Sequence, residues 1–508
     1  MRTKNSFINL IVSWSTQIIN ILLQFILRTV FINILTTEYL GLNGLFSNIL
    51  SCLSFAELGF GAAITFSLYK PLAENDEKTI AGIMNFFKKV YFAVGLFVLV
   101  AGLSLMPFIT KLINDIPDIK YIHLIYALWV LNSGISYFLV YKSTLIIADQ
   151  RKDIVEKNNF VFKIIQLVLQ VIILILTRNY VFYLIVQIFV TIVTNISISV
   201  IADKRYPFLI RKRNEKINLD ILSEIKKNVC ATVLHKIGAV VIFGTDNILL
   251  SKFFGLVIVG LYSNYYLIIN TLTNLVGQIQ ASIVASVGNL GVNATDEKKI
   301  EVFDKYLFMN FWIFCFTTSC LVSLLNPFID VWLGKDYLIP VFMTVVLTFN
   351  YFLAGFRSAA ATFNNAFGLF WNTRKLPVVE SILNIVLSII FIEVFGYIGI
   401  FLGTTISSLS TGTWYEPFIL YYKGFHKPPF LYYKRLIEYF LVAIVSMFLF
   451  IFVIDGIPFS GLGGFILKFL VSVIGSNIFL FIVYFKTKRI KYIYEMTGKV
   501  KEVILRKV

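Results

Sequence analysis

The chain has 508 residues, of which 58% are hydrophobic, and a mean hydropathy of +0.81. That balance excludes a soluble globular protein, because water would face far more apolar surface than such a fold can bury. The formal net charge of +17 invites a nucleic-acid reading, which the placement of the charge removes.

Apolar runs longer than about 18 residues recur along the whole length, the mark of an integral membrane protein. In chain order the pattern predicts 14 spans, at about 7–36, 40–68, 80–110, 119–148, 154–177, 180–202, 221–251, 257–287, 299–330, 337–366, 374–395, 397–422, 431–454 and 463–485. The first apolar segment carries Ser13, Gln17 and Asn20 and lacks a small-residue cleavage site. It reads as an uncleaved helix and not as a secretory signal.

With both termini on one side, roughly 35 of the 45 Lys+Arg fall on that side and about 5 on the other. The basic excess is therefore topology, with the basic side cytoplasmic and drawn to anionic lipid headgroups, and it implies no nucleic acid. Outer connections such as Thr36–Tyr39 and Arg178–Asn179 are too short to hold a domain. The basic connection at 203–220 has some amphipathic character and reads as an interfacial segment.

The chain repeats itself. Asn75–Phe87 (NDEKTIAGIMNFF) returns as Thr295–Leu307 (TDEKKIEVFDKYL), and Met106–Ile109 as Asn326–Ile329, both at a shift of 220. Gly44–Asn48 (GLFSN) returns as Gly260–Asn264 (GLYSN) at a shift of 216. Six spans per copy insert both copies in the same orientation, so the expected symmetry axis runs along the membrane normal. The expected organisation is an all-α membrane protein with two pseudo-symmetric six-helix lobes, 1–202 and 221–422. They are joined by the linker 203–220 and followed by two extra helices in 423–485 and a basic cytoplasmic tail, 486–508.

The stretch Tyr39–Glu77 (YLGLNGLFSNILSCLSFAELGFGAAITFSLYKPLAENDE), supported by Thr245–Tyr265 (TDNILLSKFFGLVIVGLYSNY), resembles the polysaccharide repeat-unit flippases of the multidrug/oligosaccharidyl-lipid/polysaccharide exporter superfamily. The resemblance covers the first twelve spans. It implies a two-lobe flippase of the bacterial cytoplasmic membrane for undecaprenyl-pyrophosphate-linked oligosaccharide, serving capsule, exopolysaccharide or cell-wall polysaccharide synthesis. It also implies pathway polymerase and glycosyltransferases as candidate partners. It does not name the sugar or the source of energy.

Arg28, Lys142, Lys236, Arg357 and Lys468 fall inside the spans, each at a cost of ~2.5–3.5 kcal/mol at a helix centre. Ser13, Gln17, Asn20, Gln24 and Arg28 form one stripe on the first helix. At a shift of 216 Lys236 maps onto Asn20, and at 218 Arg357 maps onto Leu139, on the face of Lys142. Those faces are expected to line a water-accessible cavity whose cations meet a pyrophosphate. The other reading is pairing with buried acids, the candidates being Glu57, Asp246, Glu393 and Glu416; Lys142 could also snorkel to the headgroups.

A second stripe, Asn270, Asn274, Gln278 and Ser282, suits sugar hydroxyls, although such residues also join helices. Glu57 and Asp246 are the candidates for ion coupling. The expected substrate-binding set is thus Arg28, Lys236, Arg357, Lys142, Gln24, Asn20, Asn270, Asn274 and Gln278. Cys52, Cys230, Cys315 and Cys320 show no metal spacing, Gly59–Gly61 is not a phosphate loop, and no catalytic constellation or cofactor motif emerges. The alternatives to a flippase are a cation-coupled multidrug antiporter and, further off, a membrane-bound polysaccharide polymerase or ligase.

Overall fold

In hydrocarbon no water meets a free peptide N–H or C=O, so a spanning chain without a closed barrel must be helical. The computed structural model describes residues 19–54, 60–114, 119–212, 215–293 and 295–490, the side chains of 226–243 and 281–293 lying outside that description. Among the described residues there is no strand. The helices are α1 (Ile19–Ile34), α2 (Thr37–Leu53), α3 (Phe60–Ala73), α4 (Glu77–Leu105), α5 (Ile122–Ala148), α6 (Lys152–Thr177), α7 (Tyr180–Arg205), α8 (Phe208–Arg211) and α9 (Leu219–Asn293). They continue as α10 (Asp296–Trp332), α11 (Val341–Ala366), α12 (Phe370–Thr373), α13 (Leu376–Phe395), α14 (Ile398–Ser410), α15 (Gly412–Ile419), α16 (Phe430–Asp455) and α17 (Gly461–Tyr484).

Among the described residues ten stretches are long and apolar enough to cross a membrane, with Ile19–Ile34 a shorter apolar helix. The expected spans map onto these elements with one difference. Residues 55–59 of the span at 40–68 lie outside the described residues, with α2 before them and α3 after. The spans at 221–251 and 257–287 are the two helical parts of α9, which meet at a break at Gly255, whose φ of +81° an L side chain rarely adopts. The span at 397–422 is interrupted: α14 stops at Ser410, Thr411 leaves helical geometry, and α15 ends in a π-turn at Leu420–Gly424.

The chain groups into two compact units, Met1–Gly260 and Leu261–Val508. The sequence repeat divides at 203–220, whereas this grouping places the first part of α9 with the first unit. The reason is a glycine seam. A Cβ on Gly41 would lie 2.1 Å from the carbonyl oxygen of Leu256, and one on Gly260 would lie 2.4 Å from that of Thr37. Gly44 faces Val259 and Asn247, and Gly244 faces Cys52. Gly41 and Gly260 are thus helix-crossing points, where only hydrogen lets the backbones meet, while Gly44, the match of Gly260, faces side chains.

In the first unit α4, α5 and α7 enclose a core that includes Ile83, Phe87, Tyr91, Tyr137, Tyr141 and Ala202. The basic connection expected at the membrane interface docks on α4. Asn85 Nδ2 donates to the carbonyls of Lys212 (3.2 Å) and Glu215 (3.1 Å), and Lys212 pairs with Glu77 at 2.9 Å.

In the second unit α10 is the central helix, and α16 and α17 cover it. Ser319 meets Ser446 at 2.7 Å, Ser323 meets Ser472 at 3.0 Å, and Trp312 Nε1 donates to Asn477 at 3.1 Å. Small hydroxyl residues let membrane helices approach while satisfying one another. The Phe311 ring stacks on Tyr439 at 4.2 Å.

Candidate functional site

Each expected cation can be followed from its helix to its partners. Arg28 lies on α1, partly buried and within electrostatic range of Tyr183 at the start of α7. Gln24, one turn earlier, is exposed, and Asn20 has a buried Oδ1 that accepts no hydrogen bond among the described residues. Ser13 and Gln17 lie outside the described residues. Lys236 sits on α9, with its side chain outside the description, and Glu57 lies outside it altogether.

Lys142 is committed to a carboxylate. Its Nζ donates to Asp203 Oδ2 at 2.6 Å and Oδ1 at 2.8 Å, and to Ser199 Oγ at 2.8 Å. Both partners are on the last turns of α7. Asp203 had been read as part of the linker, whereas α7 continues to Arg205 and carries it on the helix. Tyr183 and Asp203 are separated by about 30 Å of helix at 1.5 Å per residue. Arg28 and Lys142 therefore serve opposite ends of α7, and the first unit does not gather them into one cluster.

Arg357 on α11 is more fully engaged. Nη1 donates to Glu380 Oε1 (2.6 Å) and Nη2 to Glu380 Oε2 (3.0 Å), a bidentate pair with α13. Nη1 also donates to Ser408 Oγ (2.7 Å) on α14, and Nη2 to Glu416 Oε1 (3.2 Å) on α15. Glu380 is only 6% exposed. The guanidinium thus joins four helical segments at the break after α14. The sequence reading had weighed Glu416 as a partner but missed Glu380. The signal was available, since a carboxylate inside an apolar helix demands a cation.

The two pairings echo the repeat. A cation on the fourth span meets an acid on the sixth in the first unit, and one on the tenth meets acids on the eleventh and twelfth in the second. At these two positions the expectation of cations held open for a phosphate gives way to ion pairs. The physical cause is that a buried charge without a counter-charge costs far more than one with it.

Of the second stripe, Asn270 and Gln278 are partly buried and Asn274 is exposed. The polar network beside it belongs to a residue off the stripe. Gln280 Nε2 donates to Asn310 Oδ1 (2.8 Å) and Ser358 Oγ (2.6 Å), and Asn310 Nδ2 donates to the Gly355 carbonyl at 2.7 Å. This is helix joinery, with its donors spent on other helices.

Asp246 is buried on α9, 6% exposed, with an Oδ1 that accepts no hydrogen bond among the described residues. Its neighbour Asn247 leaves its own Oδ1 unmet while Nδ2 reaches the Gly44 carbonyl at 3.5 Å. No group of three or more His, Cys, Asp or Glu able to hold a metal occurs among the described residues.

A family model described as "Polysaccharide biosynthesis protein" matches residues 6–287, more than half of the chain. Curated proteins offer no match. Among solved structures, a lipid II flippase, MurJ, in an inward closed conformation is similar over 93% of this chain and 99% of its own, with a TM-score of 0.64 and 15% identity. An inward-facing multidrug resistance MATE family transporter of the MOP superfamily is similar over 78% of this chain and 92% of its own, at TM-score 0.63 and 12% identity. A Vibrio cholerae MATE transporter covers 81% of this chain and 96% of its own, at TM-score 0.53 and 12% identity. At these identities the likeness is one of fold.

Proposed function

Because the chain belongs to the polysaccharide biosynthesis protein family and has the multi-pass fold of MOP-superfamily transporters, we propose that it flips undecaprenyl-pyrophosphate-linked oligosaccharide from the cytoplasmic to the outer leaflet of a bacterial membrane. The observation that carries this reading is the extent of the fold likeness. The similarity to the lipid II flippase takes in 93% of the chain, while those to the two MATE transporters stop at 78% and 81%. The two extra helices, α16 and α17, are an integral part of the second unit, held to α10 by their serines.

In this proposal the head group crosses along a water-filled path, the polyprenyl tail stays in lipid, and alternating access exposes the head group to each side in turn. Arg28 and Lys236 are the proposed pyrophosphate ligands, with Asn20 and Gln24 beside them. Asn270, Asn274 and Gln278 are proposed to meet sugar hydroxyls. Lys142 and Arg357 enter the proposal differently, since a phosphate reaching them would compete with carboxylates already in place. Their proposed part is to fix the helices that carry the ligands.

The test is a leaflet-resolved assay in proteoliposomes. A labelled undecaprenyl-pyrophosphate oligosaccharide placed in one leaflet should become accessible to an impermeant glycosidase on the other side only when the protein is present. Protein-independent transfer, or transport of cationic dyes with no movement of the lipid, would overturn the reading in favour of no flippase or of a multidrug antiporter.

A further inference from the structure

A carboxylate in the membrane interior without a cation or donor is costly in its charged form. Asp246 is 6% exposed, and no described residue donates to its Oδ1. The titratable and charged groups on the elements around it are Glu38, Tyr39 and Cys52 of α2, Lys111 after α4, and Lys252 on its own helix. None of these donates to Oδ1.

Its position explains why this matters. Asp246 lies between the glycine contacts of α2 and α9, with Gly244–Cys52 on one side and Asn247–Gly44 on the other. Beyond it the corner at Gly255 is tied to the end of the Met106–Leu112 turn. Asn114 N donates to the Ser251 carbonyl (2.9 Å), Ser251 Oγ to that of Leu112 (2.8 Å), and Lys252 Nζ to that of Lys111 (2.9 Å). By sequence α9 opens the second repeat, yet here it is latched onto helices of the first. The latch stands at the Gly255 corner, the outer end by the positive-inside expectation.

We infer that Asp246 is a proton-binding site that locks this seam: the carboxyl is protonated while α2 and α9 are closed and gives up its proton to outer water when they part. Among the described residues the closed seam offers Oδ1 no donor, and the carboxyl is 6% exposed. Parting the helices wets the group and lets it ionise. Opening therefore releases one proton, and raising the outer pH favours the open seam. This deepens the flippase reading by naming what its outer closure senses; it rests on a moving transporter and not on the identity of the lipid.

The reporter is Val259→Cys, since Val259 is fully buried against Gly44 in the closed seam. Intact cells producing this variant are treated with an impermeant maleimide at outer pH from about 5 to about 9, and labelling of the peptide bearing residue 259 is read by mass spectrometry. A maleimide attacks the thiolate, so each rate is divided by that of an exposed cysteine, Arg178→Cys, at the same pH. With Asp246 present this ratio should rise with pH, approaching about tenfold per unit where the group titrates, because one proton leaves per opening. Asp246→Asn should label slowly and without slope, and Asp246→Glu should keep a slope. A slope unchanged in Asp246→Asn, or no slope in the chain that keeps Asp246, would overturn the proposal. So would labelling that follows sodium in place of pH. Loss of lipid flipping in proteoliposomes with the slope intact would count against the lipid substrate and leave the latch standing.

Discussion

Gly412 lies so close to the Arg357 guanidinium that a Cβ on it would stand 1.7 Å from Nη2. The glycine opens the gap between α14 and α15 through which the arginine reaches Glu380, Ser408 and Glu416. Gly412→Ala must expel the guanidinium or unwind the break further. Overpacking alone costs about 1–3 kcal/mol, and breaking a buried ion pair about 3–5 kcal/mol. The expected outcome is a clear fall in the midpoint of thermal unfolding in detergent. Arg357→Met should be as damaging alone, because it strands Glu380, and partly relieved when combined with Glu380→Leu. Full stability in Gly412→Ala would show that the arginine does not need this seat.

This junction marks the limit of what the chain discloses before it folds. The helical spans were legible because hydrocarbon imposes long apolar runs, and the repeat was legible because the acidic motif and Pro107/Pro327 recur at one shift of 220, with the two GLxSN segments close to it at 216. The interruption at Thr411 was not legible. Pro417 in GIFLGTTISSLSTGTWYEPFIL crowds the carbonyl of Thr413, one turn before it, which loosens this stretch without saying where the helix parts. The Arg357 guanidinium seated against Gly412 is a tertiary effect that local propensity does not record. The cations were easy to find for the same reason the spans were, since charge stands out against apolar sequence. Their partners were not, because Asp203 sat at an estimated boundary and α7 runs past it.

Lys142 and Asp203 supply a second prediction. If the pair holds α5 to α7 and does not bind substrate, its charge is dispensable provided both members go together. Lys142→Met or Asp203→Leu alone should lower stability by about 3–5 kcal/mol. The double variant should recover most of that loss and retain flipping in the proteoliposome assay. A double variant that folds as well as the parent yet does not transport would return Lys142 to the substrate site.

Arg28 should behave in the opposite way. It lies on the first described helix, within electrostatic range of Tyr183, and it shares its face with Gln24 and Asn20. Arg28→Ala should cut the flipping rate at least about tenfold, the scale of one lost charge-assisted contact worth ~1.5–3 kcal/mol. The thermal midpoint should move little. Arg28→Lys should keep part of the activity, because charge survives while paired donors do not. Transport untouched by Arg28→Ala, measured beside an intact thermal midpoint, would remove the pyrophosphate from this end of the first unit.

The repeated acidic motif gives a prediction about pH. Asp76 precedes α4 and its side chain accepts from the backbone N–H of Thr79 at 3.1 Å, an N-terminal cap. Hydrogen bonds from Thr79 hold its carboxyl below the ordinary value of 3.8, with Lys212 adding a smaller pull. The folded value lies below the unfolded one, so the stabilisation is complete above the unfolded value and is lost as pH falls through the folded one. The side chain is almost wholly exposed, and water screens most of the charge contribution. What remains is the cap itself, worth about 1 kcal/mol. Protection of the Thr79 amide, the intrinsic exchange rate divided by the observed one at the same pH, should therefore fall in Asp76→Ala at neutral pH, and in the parent chain only once pH drops below the ordinary carboxylate range. Asp76→Asn should keep its protection across that range, since an amide oxygen caps without titrating. The second copy carries Thr295 at the place of Asn75, and there Thr295 itself is the cap, accepting from Lys298 N at 3.4 Å. Between the two copies the helix start and its capping oxygen have moved together by one residue. Thr295→Ala should accordingly loosen the first turn of α10 at every pH, the same lesion as Asp76→Ala but without its acid limb.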